Sequence, residues 1–364
     1  MRYLDEMKVE LIAIGASILA SGGGGDPHIG RIMAINAIRK YGPIPLYSVE
    51  ELDPQDLLVS TGMIGSPTIM MEKIPNGNES TIACRLMEKR LNRKINAIYP
   101  IEAGGINSLL PLATACQLGL PVADVDGMGR AFPEFHMTTF HLDDIDASPF
   151  AIVDEKFNQV VIQSKDSHKT EKFARSITVQ MGGAAIFAAY PLSPAQAQQS
   201  GILGTLSLMQ MIGEQVEQAR RDKTSIVDTL VSLLYGQVLF RGRINRLDQR
   251  SDDGFTRGSV SFEGVDSCEG KSYRVQFQNE FLLAECAERM LCCTPDLIIL
   301  LDEDTGTPLL SERLRYGIRT VAIGIPAHAK WRTPRGIAIA GPQYFGYASD
   351  FKPLESLNAA EKER

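Results

Sequence analysis

The sequence lacks the cysteine patterns that would place it in a zinc-finger or dithiol redox class. No CxxC pair occurs among its six cysteines, and the adjacent pair Cys292-Cys293 is poorly shaped for a disulfide. We therefore interpret the cysteines as reduced thiols in a reducing, cytoplasmic compartment. We assign none of them a catalytic role.

Long hydrophobic runs and clustered positive charge are also missing. The apolar run 11–20 is too short to span a membrane, and Asp5, Glu6 and Glu10 interrupt what would otherwise suggest a signal peptide. The net charge is −7, with acidic and basic residues mixed along the chain, so no basic stripe is available for phosphates. We expect neither a membrane nor a nucleic acid as a partner.

The chain has the length and composition of a two-domain globular protein. Its 364 residues exceed what one hydrophobic core usually serves, and 44% of them are hydrophobic. The polar run 164–172 marks a boundary. We therefore expect one domain over residues 1–166 and a second over residues 167–364.

The order of apolar runs predicts an α/β fold for the first domain. Runs at 56–62, 97–105 and 121–129 alternate with helical periodicity near 79–92 and 106–118. This alternation is typical of a mostly parallel sheet with flanking helices.

The rest of the chain predicts more β structure. Residues 137–163 are predicted as strands, beginning with MTTFHL at 137–142. Helices are expected near 169–181 and 203–221, and the alternating strands that follow predict a β-rich α+β second domain.

A run of four glycines, Gly22–Gly25, separates two predicted helices, the second of which begins at Pro27 with Asp26 as its N-cap. Glycines let backbone amides approach a ligand at a helix N-terminus. Gly23, Gly24, Gly25 and Asp26 are therefore candidate substrate-binding residues. The Walker and dinucleotide fingerprints are missing, and a plain interhelical turn is the alternative.

Charged residues follow the predicted strands directly, at the edge of the sheet where α/β proteins bind ligands. Glu72 and Lys73 would present an acid and a base at the same edge as Glu102, although a solvated surface pair is the alternative. Glu102 lies between an apolar run and two glycines, where burial could raise its pKa toward that of a general acid or base.

The segment 124–134, DVDGMGRAFPE, carries the densest polar cluster. Asp124 and Asp126 occupy alternate strand positions and are expected to point to the same side. The carboxylates could bind a divalent metal, activate a water or accept substrate N–H groups, while Arg130 could clamp a carboxylate. A structural pair of Arg130 with Asp126 or Glu134 is the alternative.

The histidines have no recognised metal-ligand spacing. His136 and His141 would lie on opposite faces of a strand, and no HExxH motif occurs. We therefore favour a surface or core role for them. A zinc site formed by one histidine with Asp124 or Asp126 is an open alternative. The sequence requires no cofactor.

Four motifs, in this order, resemble the S-methyl thiohydantoin desulfurase family, long catalogued as a domain of unknown function. They are SGGGGDPHIG at 21–30, MIGSPTIMMEK at 63–73, IEAGGINSLLPL at 101–112 and VADVDGMGRAFPE at 122–134. The stretch PDLIILLDEDTGTPLLSERLRYGIRTVAIGIP and WRTPRGIAIAGPQYFGY are similar to the family's second domain. The resemblance therefore covers nearly the whole chain.

The resemblance implies a protein related to hydantoin- and oxoproline-processing enzymes, with hydrolytic loss of a thiol from an S-alkylated thiohydantoin ring as its activity. The site residues that it carries over are Asp26, Glu72, Lys73, Glu102, Asn107, Asp124, Asp126, Arg130 and Glu134. Phe135-His136 stands where the family pattern has Leu-Gln, which puts the substrate range in question.

On this interpretation the catalytic set is Glu102, Asp124, Asp126 and Glu134, with Asp126 or Glu102 as the base and Arg130 and Asn107 as substrate anchors. Two rival interpretations stay open. One is a non-catalytic sensor or an accessory subunit of a hydantoinase-type complex, and the other is a metal-dependent amidohydrolase. A homo-oligomer is expected only because most soluble enzymes form one.

Overall fold

A computed structural model describes residues 2–66, 69, 72–73, 75–252 and 255–357. It divides into two compact units, residues 1–16 with 24–213 and residues 17–23 with 214–364. The two-domain α/β architecture is thereby confirmed. Residues 167–213, which the predicted boundary assigns to the second domain, lie in the first unit.

The first unit contains an eight-stranded mixed sheet. Its strands are β1 (Arg2–Leu4), β2 (Ile44–Tyr47), β3 (Leu58–Gly65), β4 (Ala97–Pro100), β5 (Val122–Ala123), β7 (Phe150–Val153), β8 (Gln159–Ile162) and β9 (Ala184–Leu192), and a separate antiparallel ribbon pairs β6 (Val125–Asp126) with β10 (Ile202–Leu203). The sheet order is β1-β2-β5-β4-β3-β9-β7-β8. The neighbours β2, β5, β4 and β3 pair in parallel, and the other pairings are antiparallel. The pairing of β9 with β3 explains why residues beyond 166 belong to this unit.

Helices that flank or follow these strands are α1 (Glu6–Leu19), α2 (Pro27–Tyr41), α3 (Glu79–Leu91), α4 (Leu110–Leu118), α5 (Thr139–Leu142), α6 (Ser167–Gln180), α7 (Pro194–Ser200) and α8 (Thr205–Asp222). The start of α2 is as predicted, because Asp26 caps it by accepting a hydrogen bond from the amide of His28 at 2.9 Å. The prediction of a strand over 137–142 is wrong. Thr138 instead caps α5 by accepting from the amide of His141 at 3.1 Å, and this local bond favours a helical turn.

The second unit is built on an antiparallel seven-stranded sheet in the order β15-β14-β13-β12-β11-β17-β16, where β11 is Gln237–Asp252, β12 Phe255–Gly264, β13 Ser272–Gln278, β14 Glu280–Cys286, β15 Arg289–Cys293, β16 Leu297–Asp302 and β17 Arg319–Ile325. Its helices include α9 (Ile226–Leu233), α10 (Pro334–Ala340) and α11 (Leu354–Leu357). Strand β13 alternates buried and more exposed side chains, as expected for a sheet with one covered face. The β-rich character predicted for this half is confirmed.

A hydrophobic core supports each sheet. The second unit packs Phe240, Val260, Phe262 and Val275 into one cluster, while Ile98, Tyr99 and Phe187 are among the fully buried residues of the first unit. No helix within the described residues combines the length and apolar character needed to cross a membrane.

Candidate functional site

Glu102 lies just after β4, at the carboxyl end of the parallel strands, with only 3% of its surface exposed. One carboxylate oxygen accepts a hydrogen bond from the side-chain amide of Asn107 at 2.7 Å, and the other accepts from the backbone amide of Phe132 at 3.2 Å. Because each oxygen receives a donor, the orientation of the carboxylate is fixed. The sequence placed this residue correctly at the edge of the sheet.

Asn107 connects Glu102 to the neighbouring strand. It belongs to the 3-10 turn Gly105–Ser108, and its side-chain oxygen accepts from the backbone amide of Met63, in β3, at 2.6 Å. The side-chain amide nitrogen of Asn107 donates to the backbone carbonyl oxygen of Met63 at 3.3 Å. The ends of β3 and β4 are therefore joined by one buried side chain.

Gly24 lies against this turn through its backbone. Its carbonyl oxygen accepts from the amide of Ile106 at 3.0 Å. Gly105 has a φ of +54°, and a Cβ there would lie 2.0 Å from the Gly24 oxygen, so only glycine permits the approach. Gly24 and Gly25 belong to the first compact unit, whereas Gly23 belongs to the second, where a Cβ would overlap the carboxylate of Glu280.

Asp126 is the last residue of β6 and is fully buried, directly before a turn. Its Oδ1 accepts hydrogen bonds from the backbone amides of Met128 at 2.5 Å and Gly129 at 2.6 Å. Burial raises the pKa of this carboxyl to about 7, against the two amides and the side chain of Thr205, which favour the ionised form. A carboxylate that titrates near neutrality can both take and return a proton.

Asp124 has a different set of partners from Asp126, although the two residues stand at alternate positions. Its Oδ1 accepts from the backbone amides of Leu206 at 2.8 Å and Ser207 at 3.3 Å, at the start of α8. Its Oδ2 accepts from the hydroxyl of Ser207 and from Arg2 at 3.3 Å. Asp124 therefore stabilises a helix N-terminus, and its charge also raises the pKa of Asp126.

Arg130 is buried and contacts the two residues that follow it. Its Nε donates to the carbonyl oxygen of Ala131 at 2.8 Å, and its guanidinium carbon lies 4.5 Å from the centre of the Phe132 ring. Phe132 is the residue whose amide binds Glu102. The turn 126–132 thus links the two buried carboxylates through a short stretch of backbone.

Lys73 binds backbone and side-chain groups other than those that contact Glu102 and Asp126. Its amine donates to the carbonyl oxygens of Met181 at 2.5 Å and Ala184 at 2.9 Å, and it pairs with Glu155. Glu72 is exposed. The substrate-binding role expected for these two residues stays a prediction.

Three histidines form a cluster that the sequence analysis missed. The ring centroids of His136 and His168 are 4.0 Å apart, and His141 lies 5.9 Å and 5.2 Å from them. The expectation that His136 and His141 lie on opposite faces of a strand is wrong, because α5 is helical. Glu134 lies 3.6 Å from Nδ1 of His136. The start signal of α6 at Asp166, which places His168 in its first turn, was the available clue.

The surroundings of His136 keep its ring neutral. Burial, together with the charges of His168, His141 and Arg175, lowers its pKa to about 2. Among the residues that the structure describes, no group of three or more His, Cys, Asp or Glu side chains is arranged to hold a metal ion.

Comparison with known proteins gives one family and one fold. Residues 7–164 match the model of the S-Me-THD-like, N-terminal domain, and residues 164–354 match that of the S-Me-THD-like, C-terminal domain. A crystal structure of a Chromobacterium violaceum protein from a structural genomics consortium superposes with a TM-score of 0.79 and 23% identity, covering 97% of this chain and 100% of that one. At that identity the likeness shows the fold alone. No curated protein matches the sequence.

Proposed function

Because the chain belongs to the S-Me-THD-like family, we propose that it is a hydrolase of a small heterocyclic ring, an S-methyl thiohydantoin or a hydantoin-like compound. The family name supports the ring class. The observation that carries the chemistry is the fully buried carboxyl of Asp126, whose pKa burial raises to about 7. Such a group serves as a general base in its ionised form and as a general acid once it has taken a proton.

The proposed reaction is a hydrolytic exchange of sulfur for oxygen. Water attacks the ring carbon that carries the S-methyl group, the π electrons of its C=N bond move to the ring nitrogen, and one water proton goes to Asp126, which gives a tetrahedral intermediate. The carbon–sulfur bond then breaks as the carbonyl forms, the hydroxyl proton passes to the ring nitrogen, and methanethiolate leaves with the proton returned by the carboxylic acid. The products are the hydantoin and methanethiol, so no oxidant, reductant or cofactor is consumed.

Other residues of the site would hold the ring. The carboxylate of Glu102, oriented by Asn107 and the amide of Phe132, would accept ring N–H groups. Arg130 and Asn107 would anchor polar groups of the substrate, with Gly24 lining the same turn. Asp124 would act through Asp126, since its charge raises the pKa of that residue. Glu134 stays a candidate donor for the leaving thiol.

The experiment incubates the full chain with a panel of S-methyl thiohydantoins and hydantoins, following ring absorbance and thiol release. Asp126→Asn keeps the acceptor for the turn amides and removes the base, so we expect turnover to fall by roughly 10²–10⁴-fold. Asp154→Asn is the matched control, because Asp154 is also buried and also accepts from two backbone amides.

The outcomes separate the functions. Thiol release that survives Asp154→Asn and is lost in Asp126→Asn supports the desulfurase proposal. Full turnover by Asp126→Asn would remove Asp126 from the mechanism. Ligand binding by the wild-type chain without any thiol release would favour the sensor or accessory-subunit alternative.

A further inference from the structure

The histidine cluster joins two elements that approach each other from distant parts of the sequence. His136 precedes α5 and His141 lies within it, whereas His168 lies in the first turn of α6. His136 is fully buried, while His141 and His168 are partly exposed. Protons can therefore reach two of the rings from solvent, although the third is enclosed.

Helix α6 also binds the segment 133–136 through an ion pair. Glu171 accepts a hydrogen bond from the amide of Phe135 at 3.2 Å, and Arg175 lies 3.4 Å from the carbonyl oxygen of Pro133. Glu171 and Arg175 bind each other one helical turn apart. The backbone just before His136 is thus held to the same helix that carries His168.

The charges that face His136 come from both elements. Glu134 and His141 lie on its own side, and His168, Glu171 and Arg175 lie on α6. Asp166, the N-cap of α6, accepts from the amide of His168. Glu171 binds Arg175, and the Asp166 carboxylate interacts with the charge of His168. A charge on the enclosed His136 ring would be removed from water and would lie 4.0 Å from a second imidazole, so the closed arrangement disfavours it.

We propose that the cluster of His136, His141 and His168 is an acid-sensitive latch that holds the segment 132–136 against α6 near neutral pH and releases it in acid. The packed arrangement keeps the enclosed His136 ring neutral, whereas an opened segment exposes it to water, where an imidazole takes up a proton at an ordinary pKa of about 6.5. The opened state therefore binds more protons below that pH. Its population rises by up to about tenfold per pH unit for each ring that the closed state keeps neutral.

The latch has a consequence for the site, which rests on the proposed function. Phe132, whose amide binds Glu102, is the first residue of the latched segment. Opening would loosen that hydrogen bond and lower turnover on the acidic side. The opening itself is a property of the unliganded chain and can be measured without any substrate.

The experiment measures hydrogen exchange of the full chain by mass spectrometry between pH 7 and pH 5, corrected for intrinsic exchange, with a peptide from α2 as internal reference. We expect the protection of amides in 132–142 to fall about tenfold or more. His136→Gln removes the enclosed ring and should make that fall several times smaller. His28→Gln, on the exposed face of α2, is the control and should leave it unchanged.

Histidine labelling gives a second measurement should His136→Gln fold poorly. The chain has five histidines, so ¹⁵N-labelled imidazoles can be followed individually, and His141→Gln offers an alternative variant. The His136 ring is expected to stay neutral until the segment opens. Protection of 132–142 that does not change with pH, or an unchanged fall in both variants, would overturn the latch. Failure of thiol release alone would contradict the proposed function and leave these measurements unaffected.

Discussion

Two buried aspartates of the first unit each accept two backbone amides on one carboxylate oxygen, and they differ in their ionisation. Asp126 accepts from the amides of Met128 and Gly129, and Asp154 accepts from the amides of Lys156 at 3.0 Å and Asn158 at 2.8 Å. Neither exposes more than 3% of its surface. Burial raises the pKa of Asp126 to about 7, whereas the pKa of Asp154 is lowered.

The surroundings of the turns account for the difference. Burial also acts to raise the pKa of Asp154, but its Oδ2 accepts from the side chain of Asn158 at 2.7 Å, and the charge of Lys73 favours ionisation. Asp126 instead has the negative charge of Asp124 beside it. A carboxylate held by two backbone amides is therefore structural where a side-chain amide and a cation complete its contacts, and exchanges a proton where they do not.

The largest expected effect is on the pH dependence of stability. Folded Asp126 keeps its proton up to about pH 7, whereas the unfolded chain releases it near pH 4. Wild-type stability therefore loses a contribution as pH rises from 4 to 7, about 1.4 kcal/mol for each of roughly three pKa units. Asp126→Asn should remove that loss and be more stable than wild type at pH 8, by up to about 4 kcal/mol in urea unfolding.

Asp154→Asn should behave in the opposite way. Its lowered pKa stabilises the fold above the ordinary carboxyl pKa, and this contribution is lost as pH falls through the folded pKa. The variant should therefore be less stable than wild type at pH 7, with the difference narrowing in acid. Parallel pH dependence in the two variants would contradict the comparison.

Lys73→Met tests the cation that distinguishes the Asp154 turn. It leaves the carbonyl oxygens of Met181 and Ala184 without this donor, so we expect a loss of about 1–3 kcal/mol in the free energy of unfolding. Lys94→Met, which removes an exposed lysine paired with Glu88, should stay within about 1 kcal/mol of wild type. Equal effects of the two substitutions would argue against a special role for Lys73.

Asp124→Asn should produce the smallest effect, a shift in the pKa of Asp126. It tests the negative charge that distinguishes the surroundings of Asp126 from those of Asp154. Asparagine still caps α8 through its side-chain oxygen, but the negative charge beside Asp126 is gone. The pKa of Asp126 should fall, and the rising limb of kcat/KM against pH should move to lower pH. A limb that stays in place would show that burial alone sets this pKa.

Much of the fold could be predicted because its local signals agree with its packing. The alternation of apolar runs with helical periodicity located β3, β4 and β5, and the Asp26-Pro27 start of α2 is an N-cap. Glu102 was placed at the strand ends by the same pattern. The strand predicted over 137–142 was wrong because the hydroxyl of Thr138 competes for the local backbone.

The remaining features depend on partners that are distant in sequence. Nothing near Asp124 predicts that it binds the start of α8, some 80 residues later. The approach of His168 to His136 likewise depends on how α6 packs. Sequence spacing predicts the face of a strand or helix on which a residue lies. Tertiary contacts decide which carboxylates receive hydrogen bonds or a cation that favours their ionised form.

The measurement that tests this account most directly is the titration of the aspartate carboxyl groups by ¹³C NMR in wild type, Asp126→Asn and Asp154→Asn. The resonance missing from Asp126→Asn should titrate with a midpoint near 7. The resonance missing from Asp154→Asn should titrate below the ordinary aspartate range. An Asp126 midpoint at or below about 4, the ordinary value, would contradict the proposed acid–base role.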